Sequence, residues 1–371
     1  MAASLPVLLY HYVNKRPDPI AVHPDRFEAH LRTLSRGGWR SIGVQEAEAY
    51  FVRGEALPKK SVCITFDDGF LDNYVYAWPL LKKYGHKAII FAVTGRLEEE
   101  HMPRPTLDGV WAGHLDEADL PQVHDTFVTD AQGYRVRRDP FFSWEEARLM
   151  EQSGAVHVAA HSMTHASVFK AGPDAFGPRT HIIRPMNRKR TFDGIDGPTP
   201  FGLPRLPEGP ALSTRAFTPS PELLDMVRAA IPQSPAEADA YFKTPGNEEA
   251  WRARLAQLPP ETWGAFEDTD AYAARVRREL AGCRETLQRH LGGDRPALCW
   301  PWGGHTPEAV ELARACGYTL CFTTENGPNP PGGAGRIKRF KVRDKPASWL
   351  MSRVRVYSHG LAARLYASVK V

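Results

Sequence analysis

The pentapeptide Thr65-Phe66-Asp67-Asp68-Gly69 closes an apolar, β-rich run, Ser61-Val62-Cys63-Ile64. Two adjacent carboxylates at the mouth of a buried strand restrict the fold, because buried charge is costly unless it is paired or bound to a metal. A strand that ends in Asp-Asp-Gly and turns into a helix carries both acids at its C-terminal end. Barrels and open α/β sheets keep their active sites there. The same residues also read as a helix cap followed by a turn glycine, so the rest of the chain has to decide.

A second segment, His157-Val158-Ala159-Ala160-His161-Ser162-Met163-Thr164-His165, reads as a strand that ends at His161. His161 and His165 are four apart, which on one helical turn sets both imidazoles on one face. Two histidines and one carboxylate form a facial triad with open positions for water and substrate. Ser162 and Thr164 can cap that turn or support the ligands. Two surface histidines in a polar turn would look the same in isolation. A third apolar run leads into Cys299-Trp300-Pro301-Trp302-Gly303-Gly304-His305. Its tryptophans and paired glycines offer a rigid aromatic wall and a backbone that a ligand can approach closely, or equally a tryptophan-rich core corner.

Strands are expected over residues 6–13, 61–67, 87–94, 155–160, 296–301 and 318–324. Helical patterns alternate with them. Phe27, Leu31 and Leu34 mark one apolar face, and Tyr74, Trp78 and Leu81 another. Val276, Leu280, Cys283, Leu287 and Leu291 mark the longest. Thr306-Pro307-Glu308 starts a further helix and Gly317 ends it. Alternation of this kind predicts an α/β fold with a parallel barrel.

These three segments resemble the polysaccharide deacetylase family, carbohydrate esterase family four. Thr65 to Gly69 matches the family's first motif residue for residue, and His161 to His165 matches its His-Ser/Thr-x-x-His metal motif. Pro301-Trp302-Gly303 is similar to its third motif, where Tyr usually follows Pro. The resemblance covers roughly residues 5–95, 141–168 and 265–325. It implies one distorted (β/α)7-type barrel domain over residues 1–371, with long insertions at 95–140 and 169–264 expected to cap the active site.

Two departures narrow the resemblance. The Arg that many members carry two positions before the third-motif Pro is here Cys299. The C-terminal Leu-x-His motif is also missing, since His359 lacks both the Leu and a preceding strand. A good strand ending in Leu-x-His instead stands near the N-terminus, at Leu5 to His11. Both departures are similar to the circularly permuted biofilm poly-N-acetylglucosamine deacetylases.

The resemblance implies a metal-dependent N-deacetylase acting on an N-acetylhexosamine polysaccharide or glycan precursor. Asp68, His161 and His165 would ligate the metal, Asp67 would be the general base and His11 the general acid. The Trp302 backbone N–H would join the oxyanion site. Pro301, Trp302 and Trp144 would line the groove, Trp144 reading equally as a helix-start core residue. Zinc is the default metal for two His and one Asp, with cobalt, nickel or iron as alternatives. A deacylase of a small non-sugar amide and a non-catalytic glycan-binding module are the competing readings.

The remaining composition bounds the answer without sharpening it. A net charge of +4 over 371 residues argues for no nucleic-acid partner. Five cysteines, Cys63, Cys283, Cys299, Cys316 and Cys321, sit mostly in apolar runs and read as free thiols. Met1-Ala2-Ala3-Ser4 has no basic leader region, and residues 5–10 are too short to span a membrane. A cytoplasmic chain is therefore expected, or a periplasmic or extracellular one if a leader has been removed. The basic patch Arg184, Arg188, Lys189 and Arg190 would suit an anionic glycan or phosphate group, and otherwise stays solvated.

Overall fold

The computed structural model describes residues 4–99, 102–123, 126–130, 133–185 and 199–369. They divide into two compact units. The first comprises Met1–Asp125, Arg138–Thr164 and Arg277–Val371, and the second Thr126–Arg137 and His165–Val276.

The first unit is built on parallel strands: β1 (Val7–Tyr10), β2 (Ser61–Phe66), β3 (Ala88–Ala92), β4 (Val156–Ala160), β5 (Ala297–Cys299), β6 (Leu320–Phe322) and β7 (Phe340–Lys341). Their spatial order is β6-β5-β4-β3-β2-β1-β7. Register is fixed by pairs such as Val7↔Cys63, Thr65↔Ile89, Ala92↔Ala160 and Leu298↔Ala160. β7 pairs with β1 through Leu8↔Phe340, and Ile337, just before β7, bridges to Phe322 of β6 in parallel. The sheet thus curls back on itself along a path of seven strands, as the (β/α)7-type expectation requires, and a short eighth strand, Arg40–Ser41, pairs with β2 off that path. β2 and β3 are buried along their whole length, which explains their unbroken apolar runs.

Helices fill the crossovers where the sequence signals stand. α1 (Pro24–Arg36) buries Phe27, Leu31 and Leu34. α2 (Val44–Phe51) and α3 (Trp78–Tyr84) follow. α4 (Trp144–Gln152) starts on a Ser143–Glu146 capping box, two reciprocal bonds that satisfy otherwise orphaned N–H groups. α5 (Thr269–Leu291), α6 (Pro307–Ala315) and α7 (Ala347–Tyr357) come next, followed by the helix Gly360–Val369. No helix among the described residues is long and apolar enough to cross a membrane. The five cysteines are free thiols, as expected.

Several histidines are structural. His30 is fully buried between the Tyr10 hydroxyl, 3.2 Å away, and the Lys345 carbonyl, 2.8 Å away. Burial pushes it down to about 4, and burial does the same to His157. Between pH 6.5 and about 4 the unfolded chain binds protons at these positions that the folded chain does not. Stability is therefore expected to fall as pH drops through that window. Urea midpoints measured from pH 7 to 4 should show the decline, and His30→Asn should flatten it. A midpoint that stays level would contradict the assignment.

The second unit has its own antiparallel sheet, in the order Glu208–Pro210, Ser167–Phe169, Phe217–Pro219, Gly264–Phe266. Three helices, Pro221–Ala230, Pro235–Lys243 and Asn247–Ala256, belong to the same unit. Phe169, Phe201, Val227, Trp251 and Trp263 form its core. The insertion foreseen at 169–264 therefore folds with a hydrophobic core of its own. Arg184 pairs with Glu248 in this unit. Arg188, Lys189 and Arg190, and His124 of the other insertion, lie outside the described residues.

Candidate active site

Side chains alternate along a strand, so every second residue faces the barrel interior. Cys63, Ala159, Ala297, Cys299 and Ile337 all belong to one buried cluster. Two residues beyond Ile337 is Arg339, and two beyond Ala159 is His161. Four beyond Cys63 is Asp67. The inward files that are apolar lower down thus end in chemistry at their C-terminal ends.

Asp67 is almost fully buried, and its partner is Arg339. The guanidinium donates from Nη1 to Oδ1 at 2.6 Å and from Nη2 to Oδ2 at 2.8 Å. It also donates to Thr65 Oγ1 at 3.1 Å, to the Thr323 carbonyl at 2.8 Å, and to Cys299 Sγ at 2.8 Å. Burial alone would raise the Asp67 carboxyl, but the charge and hydrogen bonds of Arg339, helped by His161 and His11, hold it down at about 2. Burial keeps the Cys299 thiol protonated, well above its ordinary range. Sequence reasoning missed Arg339. It found an Arg absent at position 299, whereas the guanidinium comes from the segment that closes the barrel.

Asp68, His161 and His165 each offer one ligand atom, and these atoms lie within 4.8 Å of one another. The His161 Nδ1–H donates to the Cys299 carbonyl at 2.8 Å, which turns Nε2 toward Asp68 Oδ1, 3.6 Å away. A carbonyl that fixes the tautomer and aim of a histidine is the usual support for a metal ligand. Asp67, His161 and Cys299 meet the same distance criterion. Both Asp67 oxygens already accept from a buried guanidinium, however, and the Cys299 thiol is neutral, so that set suits a cation poorly. The donor chemistry of Asp68, His161 and His165 fits a divalent metal.

The loops here are strained. Asp68, Ser162, His165 and Trp302 all have positive φ, between 51° and 73°, a conformation that costs non-glycine residues on the order of 1–3 kcal/mol and clusters at functional sites. The surroundings hold it in place. Glu279 of α5 accepts from the N–H groups of Met163 and Thr164 at 3.1 and 3.2 Å. Gly95 N–H donates to the Met163 carbonyl at 2.9 Å, and a Cβ at Gly95 would meet that oxygen at 2.6 Å. This position is glycine because nothing larger fits against the ligand loop.

The strand expected over 6–13 breaks at His11, with Tyr12–Val13 pairing separately to Ala21–Val22. The break is pinned by buried polar side chains. Asp72 accepts from Val13 N–H at 3.1 Å and from Asn14 Nδ2 at 2.9 Å, while Asn73 Nδ2 donates to the His11 carbonyl at 2.9 Å. Burial pushes the Asp72 carboxyl up to about 8 against the pull of those donors. His359 lies elsewhere. It lines a cavity with Leu5 and Ser61, at the N-terminal ends of β1 and β2.

Pro301 is buried and Trp302 is 43% exposed. Trp144 has no exposed surface and stacks on His290, ring centroids 4.2 Å apart. Of its two readings, burial supports the core residue at a helix start and not the groove wall.

The family model for polysaccharide deacetylase matches residues 54–191. This stretch of the chain therefore resembles a polysaccharide deacetylase domain. YxkH of Bacillus subtilis (strain 168), whose name places it among the polysaccharide deacetylases, is 38% identical over 99 residues, 27% of this chain and 35% of that protein. The poly-beta-1,6-N-acetyl-D-glucosamine N-deacetylase of Escherichia coli (strain K12) is 20% identical over 314 residues, 85% of this chain and 32% of that one. The chain spans about a third of the length of these curated relatives. Among solved structures, the de-N-acetylase from Aggregatibacter actinomycetemcomitans matches with a TM-score of 0.59 and 19% identity, over 94% of this chain and 99% of that one. The chain therefore shares its fold with that protein across nearly its whole length.

Proposed function

We propose that this chain hydrolyses the N-acetyl groups of an N-acetylhexosamine-containing glycan, releasing acetate and leaving a free amine on the sugar. The observation that carries this reading is Asp67, held ionised by Arg339 beside the ligand set Asp68, His161 and His165. The names of the relatives, one of them a poly-beta-1,6-N-acetyl-D-glucosamine N-deacetylase, point to the same substrate class.

Asp68, His161 and His165 would hold a divalent metal, zinc by the donor set, which when bound would acidify a water and polarise a carbonyl. Asp67 takes the proton of the attacking water, which adds to the acetyl carbon. The Trp302 backbone N–H stabilises the oxygen on which negative charge develops. His11 gives a proton to the sugar nitrogen as the C–N bond breaks, a role suited to imidazole. The exposed Trp302 ring offers a flat apolar face to a sugar ring.

The test is acetate release from β-1,6-linked N-acetylglucosamine oligomers in the presence of zinc or cobalt. Wild-type protein should release acetate, and Asp67→Asn should be slower by roughly 10²–10⁴-fold, the range for losing a general base. No acetate from any N-acetylhexosamine oligomer would overturn the proposal.

A further inference from the structure

At the opposite end of the strands from Asp67, a cavity of about 850 Å³ opens beside Leu5 and Ser61. That volume lies in the range of small-molecule sites. Its lining joins two kinds of surface. Trp39, Leu57 and Met351 supply apolar area. Lys59, Arg355 and His359 stand around it as exposed basic side chains, and no aspartate or glutamate is among the described residues that line it. Lys60 also lines it, its ammonium donating to the Gly37 carbonyl at 2.8 Å. Lys60 takes a positive φ of 61° outside the strained loops of the active site. The nearest acid in sequence, Glu55, is paired with Arg53.

Basic groups gathered on an apolar cavity without balancing acids select a ligand with the complementary distribution. We infer that this cavity binds an amphiphilic anion, an alkyl chain ending in a phosphate, with its head on Lys59, Arg355 and His359 and its chain against Trp39, Leu57 and Met351. The last helix strengthens the assignment. It begins at Gly360, directly after His359, and exposes Leu361, Leu365 and Val369 at 67%, 60% and 84%. Residues at this spacing share one helix face, so an apolar stripe begins two residues after His359. Such a ligand has two sources, a free alkyl phosphate or the headgroup and chain of an anionic membrane lipid. The assignment stands on this end of the barrel alone and does not depend on the reaction proposed for the other.

The experiment is calorimetric titration of the full chain with monomeric dodecyl phosphate, with inorganic phosphate and with neutral dodecyl maltoside. Sedimentation with phosphatidylglycerol or phosphatidylcholine vesicles runs beside it. Dodecyl phosphate should bind at least about tenfold more tightly than either partial mimic, a difference of ~1.4 kcal/mol. Lys59→Glu/Arg355→Glu should remove that advantage, and Ala56→Trp, placed to fill the cavity, should weaken binding without altering acetate release. Binding of monomers assigns a free amphiphile, and charge-dependent binding to phosphatidylglycerol vesicles alone assigns a membrane lipid. Either result supports the site if the double variant abolishes it. Equal affinity for inorganic and dodecyl phosphate, or binding that the double variant leaves intact, would overturn it.

Discussion

Arg339→Met is expected to lower kcat by roughly 10²–10³-fold, comparable to loss of a key electrostatic contact in an active site, with a much smaller effect on KM. Arg339 is a positioning residue: it touches Asp67, and through it the attacking water. Its removal leaves a carboxylate buried with its main counter-charge gone. Breaking a buried pair in this way destabilises a protein by ~3–5 kcal/mol, which denaturant midpoints can read. The pH profile separates this role from simple loss of fold. In the wild type Asp67 sits at about 2, so it contributes no acid limb across the working range. Without Arg339, burial prevails and raises the carboxyl, so activity should fall with acidity at a markedly higher pH than in the wild type. Arg339→Lys should recover part of the rate and shift the limb back, because an ammonium restores the charge but not the two-pronged contact. An unchanged acid limb in Arg339→Met would show that the pair does not control Asp67.

The second large effect is expected at His161. Its Nδ1–H is committed to the Cys299 carbonyl and its Nε2 faces Asp68. His161→Ala should abolish stoichiometric binding of zinc, with affinity lower by more than about 100-fold, beyond the loss seen when only a supporting contact is removed. A ligand that binds only the folded chain stabilises it by ~2.7 kcal/mol at one hundred times its Kd. Chelation should therefore lower the Tm of wild-type protein and leave that of His161→Ala unchanged. Cys299→Ser keeps the backbone carbonyl and should retain the metal, which distinguishes the ligand set built on Asp68 from the alternative that includes the thiol. Loss of zinc in Cys299→Ser with retention in His165→Ala would reverse that choice.

The site was legible in the sequence wherever its residues are neighbours along the chain. Asp67 and Asp68 follow the apolar strand Ser61–Phe66 and His161 follows Val156–Ala160, so the strand pattern alone puts these candidates at C-terminal strand ends, with His165 four residues on in the same loop. Arg339 was hidden for a physical reason. It stands in Arg336-Ile337-Lys338-Arg339-Phe340-Lys341, a run whose charge density reads as a solvated surface. The bridge between Phe322 and Ile337, with the pairing of Phe340 to Leu8, turns that run into the closing strand and its fourth residue inward. The alternation of Ile337, Arg339 and Lys341 with Lys338 and Phe340 carries no hydrophobic period strong enough to reveal a strand.

Trp144 was left open for a different reason. A tryptophan at a helix start is compatible with a groove or a core, and its stacking partner His290 lies 146 residues away in sequence, beyond any local pattern. The second unit was foreseen only as an insertion, because its strands of three residues each leave almost no alternation to read.

The central claim is that Asp67 works as a base beside one metal held by Asp68, His161 and His165. The most direct measurement is a titration of metal-stripped protein with zinc while acetate release from an N-acetylglucosamine oligomer is followed. The rate should rise linearly and level off at one equivalent per chain, and Asp67→Asn should bind the same single equivalent yet release almost no acetate. Full activity in the stripped protein, or an Asp67→Asn variant as fast as wild type, would contradict the account.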